Sequence, residues 1–294
     1  MGIKVYETIS ALRAAQAGWA GPIGFVPTMG YLHAGHISLV HHARAENETV
    51  VASIFLNPTQ FGPDEDLSKY PRDLPHDLAF LEEAGVHAVF GPTVEQMYPP
   101  GYFTYVEPMG TLAEHLEAVR RPGHFRGVAT VVTKLFNIVA PDNAYFGQKD
   151  AQQVAVLRAL VRDLNMPLAL HVLPTIREAD GLAMSSRNSY LNLRERAAAT
   201  VLSRALRAGQ AAVSDAPDGD ANAVRAAMRE VVAGEPLATL DYADVCDPDT
   251  FEPLATLRTP ALLAIAARIG HTRLIDNFLL KASGEWETGH GVES

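Results

Sequence analysis

The sequence predicts an α/β fold in which a parallel sheet forms the N-terminal part of the chain and a smaller α+β domain follows. Up to about residue 172, apolar β-prone runs alternate with helical patterns, and strands separated by helices form parallel sheets with right-handed crossovers. After about residue 190 the pattern changes to helices followed by three strand-like runs. The 294 residues are long enough for two domains.

Local apolar periodicity places the individual elements. The strands predicted in the first part are residues 23–26, 50–56, 88–90, 144–146 and 168–172, and the helices are residues 35–46, 75–84, 127–139 and 150–164. In the second part, helices at 193–208 and 223–232 precede strands at 240–245, 261–267 and 274–279. We therefore predict a first domain over residues 1–180, an α+β domain or lid over residues 181–282, and a flexible tail over residues 283–294.

Composition argues against several classes of protein. The formal net charge of -10 disfavours a general nucleic-acid binder, so an anionic ligand must meet a local cluster of donors. The single cysteine, Cys246, excludes an internal disulfide and fits a reducing compartment. The start has no signal-peptide pattern, and the uncharged run at 14–43 is broken by glycines, prolines and four histidines. We expect a cytoplasmic protein that binds neither membrane nor nucleic acid.

Residues 27–36, Pro-Thr-Met-Gly-Tyr-Leu-His-Ala-Gly-His, join a predicted strand to a predicted helix. Such a turn offers unpaired backbone N–H groups and the positive end of a helix dipole to an anion. Gly30 and Gly35 let the backbone approach a ligand, and His33 and His36 lie on one side of the first helical turn, where imidazoles can donate to phosphoryl oxygens. For His-x-x-His alone, the alternative is a pair of surface or partly buried histidines. A zinc site is disfavoured because no cysteine or carboxylate stands at ligand spacing.

A second polar turn, Asn57-Pro-Thr-Gln60-Phe, follows the next predicted strand. Asn57 and Gln60 are amides at the carboxyl end of a strand, where parallel sheets bind ligands, and they suit a substrate that needs both donors and acceptors. Taken alone, the segment is more simply explained as a turn stabilised by an asparagine side chain and a proline.

A third segment, Gly123-His-Phe-Arg-Gly127, precedes a predicted helix. Its polar side chains, His124 and Arg126, either reach into a site or cap and solvate that helix. The residue types alone favour neither interpretation.

A fourth segment, Phe146-Gly-Gln-Lys-Asp-Ala-Gln-Gln153, follows another predicted strand. Lys149 offers a point charge for a phosphate, and Asp150 stands where a helix N-terminus favours a carboxylate. Gln153 lies one helical turn further, so it can face the same cavity. A lone lysine is usually solvated surface, but its place just after Gly147 at a strand end favours a functional interpretation.

A fifth segment, residues 177–188, contains a tight turn at Asp180-Gly181 and the sequence Met184-Ser-Ser-Arg187. Two hydroxyls and a guanidinium can clamp phosphate oxygens. A solvated loop is the commoner outcome for such a composition, whereas a loop at a domain junction could close over a bound nucleotide.

Together the five segments resemble the pantothenate synthetase (pantoate–β-alanine ligase) family of the nucleotidylyltransferase superfamily. The shared motifs are His-x-Gly-His, Asn-Pro-x-Gln-Phe, His-Phe-x-Gly, Phe-Gly-x-Lys-Asp-x-Gln-Gln and Ser-Ser-Arg-Asn, in the family's order. The similarity continues through residues 240–242, 266–270 and 273–277, and so covers the chain except its tail. The first and last motifs resemble signatures of the whole superfamily, so Gln60 and Gln153 narrow the resemblance to this family.

The resemblance implies a Rossmann-like N-terminal domain, a C-terminal domain that covers the site, and a homodimer. It also implies ATP-dependent condensation of (R)-pantoate with β-alanine to pantothenate, AMP and pyrophosphate through a pantoyl adenylate. This reaction is physically reasonable for the residues present, because activating a carboxylate needs charge stabilisation and positioning more than a protein nucleophile.

Carried over position by position, the resemblance assigns roles to individual residues. His36 matches the catalytic proton donor, and His33, Lys149 and Arg187 complete the catalytic set. The implied ATP contacts are Met29, Gly30, Tyr31, Leu32, His33, Ala34, Gly35, His36, Gly147, Gln148, Lys149, Asp150, Ile176, Met184, Ser185, Ser186 and Arg187. Pantoate is matched to Gln60, Gln153 and Met29, and β-alanine to Gln60.

Magnesium is expected together with ATP, with Asp77 as its protein ligand. Some family members carry adjacent acidic residues where this sequence has Pro75-His76-Asp77, so Asp77 stands alone. Because Mg²⁺ often binds mainly through phosphates and water, this departure is compatible with activity.

Three other functions are weighed against the ligase. A nucleotidylyltransferase with a different acceptor is disfavoured by the pair Gln60 and Gln153. A non-catalytic nucleotide sensor is disfavoured because His36, Lys149 and Arg187 are intact. A purely structural dimerisation module predicts no affinity for nucleotide, which a binding measurement would test.

Overall fold

The computed structural model describes residues 3–215 and 219–291. These residues group into two units. The first unit contains the described residues up to Gly147 together with Val156–Leu173, and the second contains Gln148–Ala155 together with the described residues from Pro174 onward.

A parallel sheet of six strands forms the centre of the first unit. Its strands are β1 (Lys4–Tyr6), β2 (Ile23–Thr28), β3 (Thr49–Ile54), β4 (Ala88–Phe90), β5 (Asn143–Gly147) and β6 (Ala169–Leu173). They lie in the order β1-β4-β3-β2-β5-β6, and every neighbouring pair is parallel. The predicted Rossmann-like α/β class is therefore confirmed for this part of the chain.

The strand order reverses between β2 and β5. From β2 the chain proceeds to β3 and β4 on one side, whereas β5 and β6 lie on the other. All six residues of β2 pair with β3, but only Gly24 and Phe25 pair with β5. In open parallel sheets, ligands bind beyond the carboxyl ends of the strands at such a reversal. The residues that follow Thr28 are thus at the expected binding position of the sheet.

Helices cover the sheet of the first unit and supply its core. The helices of the chain are α1 (Ile9–Gln16), α2 (Ala34–Glu46), α3 (Leu74–Glu83), α4 (Val94–Met97), α5 (Glu117–Arg120), α6 (His124–Val139), α7 (Ala151–Asp163), α8 (Leu193–Ala199), α9 (Val201–Asp215) and α10 (Ala221–Ala233). Val40 of α2 and Leu81 of α3 are buried against Val26, Ala52 and Val89 of the sheet. This apolar burial is the main stabilising term for the unit.

The second unit is built on an antiparallel sheet. The strands of this unit are β7 (Ile176–Arg177), β8 (Ala238–Cys246), β9 (Ala261–Ile269), β10 (Thr272–Leu280), β11 (Trp286–Glu287) and β12 (His290–Gly291). Four of them pair in the order β11-β10-β9-β8, and β12 pairs with β7 in parallel. Leu206 of α9 and Met228 of α10 pack into one core with Leu263, Ile265 and Phe278 of the sheet. The predicted smaller α+β part is confirmed.

Several predicted bounds differ from the structure. The single helix predicted at 193–208 is two helices, because Thr200 ends α8 and its hydroxyl donates to the carbonyl of Ala197. Strand β1 and helix α1 were not predicted. The segment predicted as a flexible tail contains β11 and β12, while residues 292–294 lie outside the described residues. The division into domains at residue 180 stays a prediction. None of the helices in the described part of the chain is long and apolar enough to cross a bilayer.

Candidate functional site

The turn that follows β2 is fixed by backbone geometry and by two side chains. Thr28 donates its hydroxyl to the carbonyl of Ser53 at 2.7 Å and accepts from the backbone N–H of Gly30 at 3.2 Å. Gly30 has φ of 88°, and a Cβ there would lie 3.1 Å from Asp77 Oδ2. Tyr31 also has a positive φ, 53°, which is unfavourable for a residue other than glycine. The surrounding structure must therefore hold this turn in place.

Asp77, on the first turn of α3, holds the turn. Its Oδ2 accepts the backbone N–H of Tyr31 at 2.8 Å, and its Oδ1 accepts that of Leu32 at 2.7 Å. The residue is 1% exposed. Both carboxylate oxygens thus serve the backbone, which favours a structural role for Asp77 over metal coordination. Across the described residues, no group of three or more His, Cys, Asp or Glu side chains could hold a metal ion. Direct binding of magnesium by Asp77 stays a prediction.

His33 and His36 form a reciprocal cap at the N-terminus of α2. The Nδ1 of His33 accepts the backbone N–H of Gly35 at 3.1 Å, and the Nδ1 of His36 accepts the backbone N–H of His33 at 3.3 Å. The two ring centroids are 4.1 Å apart. Because each Nδ1 uses its lone pair as an acceptor, each neutral ring carries its proton on Nε2. The cap therefore sets two imidazole N–H donors at the positive end of a helix.

Gln60 lies in a short 3₁₀ turn, Pro58–Gln60, directly after β3. Asn57 caps this turn, and its Nδ2 donates to Gln60 Oε1 at 3.1 Å and to the carbonyl of Gly127 at 3.2 Å. Because Gln60 Oε1 faces this donor, its Nε2 points to the Sδ of Met29, 3.2 Å away. The structure thus brings together the two predicted pantoate contacts Met29 and Gln60. Asn57 is 1% exposed and acts as a support, as the structural alternative predicted.

The two polar residues of the third segment differ in their surroundings. His124 is buried at the start of α6 and contacts the carbonyl of Gln60 at 2.8 Å through Nδ1. Burial first, and the nearby Arg121 charge second, lower the pKa of His124 to about 4. Arg126 is exposed, and its guanidinium lies over the ring of Tyr105, 5.1 Å from the centroid. His124 therefore contacts the backbone of the turn that bears Gln60, whereas Arg126 lies at an exposed position. Entry of either side chain into a site stays a prediction.

In the second unit, the 3₁₀ turn Gln148–Asp150 carries the predicted phosphate-binding lysine. Lys149 Nζ lies 3.7 Å from Asp150 Oδ2, and its side chain is 20% exposed. Asn277 of β10 is buried and donates its Nδ2 to the carbonyls of Gln148 at 3.1 Å and Lys149 at 2.9 Å. Gln153, on the first turn of α7, is partly exposed. Asn277 therefore fixes the backbone that bears Lys149.

A buried ion pair supports the other predicted ATP contacts of this unit. Arg177 of β7 binds Asp276 through two parallel hydrogen bonds of 2.7 and 2.8 Å, and the two side chains are 5% and 1% exposed. Arg177 also donates to the carbonyl of Gly181 at 3.0 Å, which fixes the turn before Met184. Met184 N–H donates to the carbonyl of Ile176 at 2.9 Å, so these two predicted contacts are adjacent.

The Ser-Ser-Arg segment that follows is itself a capped turn. Ser185 caps the 3₁₀ turn Ser186–Tyr190, accepting the backbone N–H of Arg187 at 3.3 Å. Ser186 is buried. The cap fixes the backbone that bears the predicted phosphate contacts Ser185, Ser186 and Arg187.

The comparisons with known proteins give a consistent result. A family model described as Pantoate-beta-alanine ligase matches residues 4–279. The pantothenate synthetase of Herpetosiphon aurantiacus is 58% identical over 279 residues, covering 95% of this chain and 100% of that protein. The pantothenate synthetase of Chloroflexus aurantiacus is 56% identical over 285 residues, covering 96% of this chain and 100% of that protein.

Solved structures agree. The crystal structure of pantothenate synthetase from Thermus thermophilus superposes with a TM-score of 0.89 at 47% identity, covering 94% of this chain and 98% of that chain. The pantoate-beta-alanine ligase from Francisella tularensis, complexed with beta-gamma ATP and beta-alanine, gives a TM-score of 0.78 at 34% identity, with coverages of 95% and 98%.

Proposed function

The chain belongs to the pantoate-beta-alanine ligase family, and from this premise we propose how its residues carry out the reaction. The protein is an ATP-dependent ligase that joins pantoate to β-alanine.

In the proposed first step, a carboxylate oxygen of pantoate attacks the α-phosphorus of ATP. The new bond joins this oxygen to phosphorus, the bond from the α-phosphorus to the bridging oxygen breaks, and pyrophosphate leaves. The product is pantoyl adenylate, a mixed anhydride. Negative charge grows on the phosphoryl oxygens during this step, so fixed N–H donors accelerate it.

In the second step, the neutral amine of β-alanine attacks the acyl carbon of the adenylate. The new C–N bond forms, the bond from the acyl carbon to the phosphate oxygen breaks, and AMP leaves with its pair of electrons. The nitrogen then loses a proton, which gives pantothenate. Positioning of the two reactants is the main contribution required of the protein here.

The observation that carries this proposal is the reciprocal cap of His33 and His36. It fixes the protonated Nε2 of each ring at a helix N-terminus, without a lysine and without a covalent nucleophile. We assign His36 as the proton donor to the phosphoryl group and His33 as a second donor. The backbone from Met29 to His36 binds ATP in this scheme.

Other side chains receive binding roles. Lys149 and Arg187, with the hydroxyls of Ser185 and Ser186, bind phosphate oxygens. Gly147, Gln148, Asp150, Ile176 and Met184 complete the ATP contacts. Gln60 and Gln153 bind pantoate together with Met29, and Gln60 also contacts β-alanine. The orientation of the Gln60 amide by Asn57 supports its assignment as a fixed donor.

Magnesium, the homodimer and the cytoplasmic location stay predictions. The described residues do not form a carboxylate cage that fits a magnesium ion, since both oxygens of Asp77 accept backbone N–H groups. No step of the proposal depends on coordination of a metal by the protein.

Isotope transfer tests the adenylate directly. The purified protein is supplied with ATP, Mg²⁺, β-alanine and pantoate whose carboxylate carries ¹⁸O, and the nucleotide product is analysed by mass spectrometry. Because the attacking oxygen stays on the α-phosphorus, we expect labelled AMP, and pyrophosphate release that requires pantoate but not β-alanine. Label in inorganic phosphate together with ADP would instead indicate attack on the γ-phosphorus and would overturn the proposal.

A further inference from the structure

The backbone carbonyl of Gln60 is held by a buried histidine. His124 Nδ1 lies 2.8 Å from this oxygen, and Arg121 Nη1 lies 3.0 Å from the other ring nitrogen, Nε2. A carbonyl oxygen can only accept, so Nδ1 carries the proton and donates. A guanidinium can only donate, so Nε2 carries the lone pair and accepts. These two partners select the neutral Nδ1–H form of His124.

Arg121 is itself fixed from the other side. Its Nε and Nη2 bind the two carboxylate oxygens of Glu65 at 2.8 and 2.7 Å, and Nη2 also lies 3.4 Å from the Gln60 carbonyl oxygen. Glu117 Oε2 is 4.0 Å from Nη1. A bidentate pair is geometrically specific. The chain of contacts from Glu65 through Arg121 to His124 therefore defines one position for the ring.

Helix α6 also lies directly against the turn that bears Gln60. At Gly127, an added Cβ would be 2.3 Å from the carbonyl oxygen of Thr59 and 2.6 Å from the nitrogen of Gln60. The carbonyl of Gly127 accepts from Asn57, which orients the Gln60 amide. His124 and Gly127 thus act from one helix on the two peptides that flank the Gln60 side chain. His124 binds the carbonyl that follows it, and Gly127 allows close approach to the peptide that precedes it.

We infer that His124 is a positioning residue for pantoate. By donating from Nδ1 to the Gln60 carbonyl, it fixes the peptide from which the Gln60 side chain reaches the substrate. The third sequence segment therefore serves the reaction without touching substrate. This inference rests on the proposed role of Gln60 in binding pantoate.

Two substitutions test the contributions of the two ring nitrogens of His124 separately. In His124→Asn, the side-chain amide nitrogen can occupy the position of Nδ1 and still donate to the Gln60 carbonyl. In His124→Gln, the terminal amide can occupy the position of Nε2 and accept from Arg121, but the donor to Gln60 is lost. We expect His124→Gln to raise the KM for pantoate roughly 10-fold while the KM for ATP changes little, and His124→Asn to stay near the wild type. Initial rates of pyrophosphate release with each substrate varied in turn give these constants.

Controls distinguish the possible failures. His271→Gln replaces an exposed histidine and should match the wild type. Gln60→Ala tests the underlying assignment: if it leaves the KM for pantoate unchanged, the proposed role of Gln60 fails. If Gln60→Ala weakens pantoate but His124→Gln does not, the inference about His124 is overturned. Equal increases in the KM for pantoate in the Asn and Gln variants would also overturn it, since a general loss of packing does not depend on which nitrogen is kept.

A variant remote from the ring covers the case in which the histidine variants do not fold. Glu65→Gln keeps the size of the side chain and weakens its hold on Arg121 at a partly exposed position. We expect a smaller rise in the KM for pantoate, again without change for ATP. An unchanged KM for pantoate in this folded variant would count against the chain of contacts.

Discussion

Asp77 Oδ2 accepts a hydrogen bond of 2.8 Å from the backbone nitrogen of Tyr31, a residue held at φ of 53°. The contact joins α3 to the turn after β2. It keeps the backbone in a conformation that a non-glycine residue rarely adopts, immediately before the histidine cap. The acidic residue for which the resemblance predicts a magnesium contact therefore accepts backbone N–H groups of this turn with both of its carboxylate oxygens.

This contact predicts the effect of removing the carboxylate. Asp77→Ala leaves the buried N–H of Leu32 and the partly buried N–H of Tyr31 without their acceptor, and Asp77→Asn presents an N–H to one of them. Both variants should therefore lower kcat/KM for ATP roughly 10- to 100-fold. Rates measured over a range of Mg²⁺ concentrations distinguish loss of the backbone contact from loss of a metal ligand. Asp73→Asn, at the cap of the same helix, removes a charge nearby and should have little effect. Recovery of the wild-type rate at high Mg²⁺ would identify Asp77 as a metal ligand instead.

A second prediction distinguishes the capping role of His36 Nδ1 from the donor role of its Nε2. In His36→Asn, the side-chain oxygen can replace Nδ1 as the acceptor for the His33 N–H, so the cap is kept, while the Nε2–H donor is lost. The rate of adenylate formation should fall roughly 10²- to 10³-fold, as for other lost transition-state donors. Single-turnover pyrophosphate release measures it, with thermal unfolding as the check on folding. His42→Ala, at an exposed position on the same helix, is the matched control. Near-normal turnover of His36→Asn would remove His36 from its role.

A third prediction concerns the support of Lys149. Asn277→Ala removes the donor to the carbonyls of Gln148 and Lys149, and should raise the KM for ATP roughly 10-fold while the KM for pantoate is nearly unchanged. Asn277→Asp, which places an acceptor against both carbonyls, should be at least as damaging. Steady-state kinetics give both constants. The exposed Asn137→Ala serves as control. Equal losses for both substrates would contradict a specific role at the lysine.

The strongly periodic elements of the fold are predictable from sequence, and the short ones are not. β9 is recognisable because it is a long run of apolar residues, nearly all of them buried. β1 has only three residues at the edge of the sheet, and none of them is buried, so it leaves no apolar pattern. β12 has two exposed residues and exists through pairing with β7. Edge pairing of this kind has no local signal.

Site residues divide in a similar way. The resemblance supplies the residues assigned to ligands, because each stands in a contiguous motif. The contacts that support these residues escape sequence reasoning because the partners lie far apart along the chain. Asn277 and the Lys149 carbonyl are 128 residues apart, and His124 and the Gln60 carbonyl are 64 apart. The resemblance does point to Asp77, but as a magnesium ligand. Its hydrogen bond to Tyr31 could not be predicted, because the two residues are 46 positions apart in the sequence. The resemblance does contain both supports, since His124 stands in the His-Phe-x-Gly motif and Asn277 in residues 273–277, but it gives neither contact.

The last prediction is a dependence of stability on pH that His124 introduces. Burial first and the Arg121 charge second lower its pKa from 6.5 to about 4, although Glu117 and Glu65 act in the opposite direction. At pH values between these two pKa values, His124 binds a proton in the unfolded chain but not in the folded chain. The free energy of unfolding therefore falls as the pH drops. From about pH 7.5 to about pH 5 this loss amounts to about 2 kcal/mol.

Urea unfolding of the wild type and of His124→Asn at both pH values isolates this contribution, because asparagine does not titrate. The variant should be less stable than the wild type near neutral pH, since it lacks the bond to Arg121, but its stability should fall less on acidification. The difference between the two proteins should therefore narrow toward low pH. Parallel losses in both proteins would mean that the folded chain admits a proton on His124 as readily as the unfolded chain, against the contact with the Arg121 guanidinium at 3.0 Å.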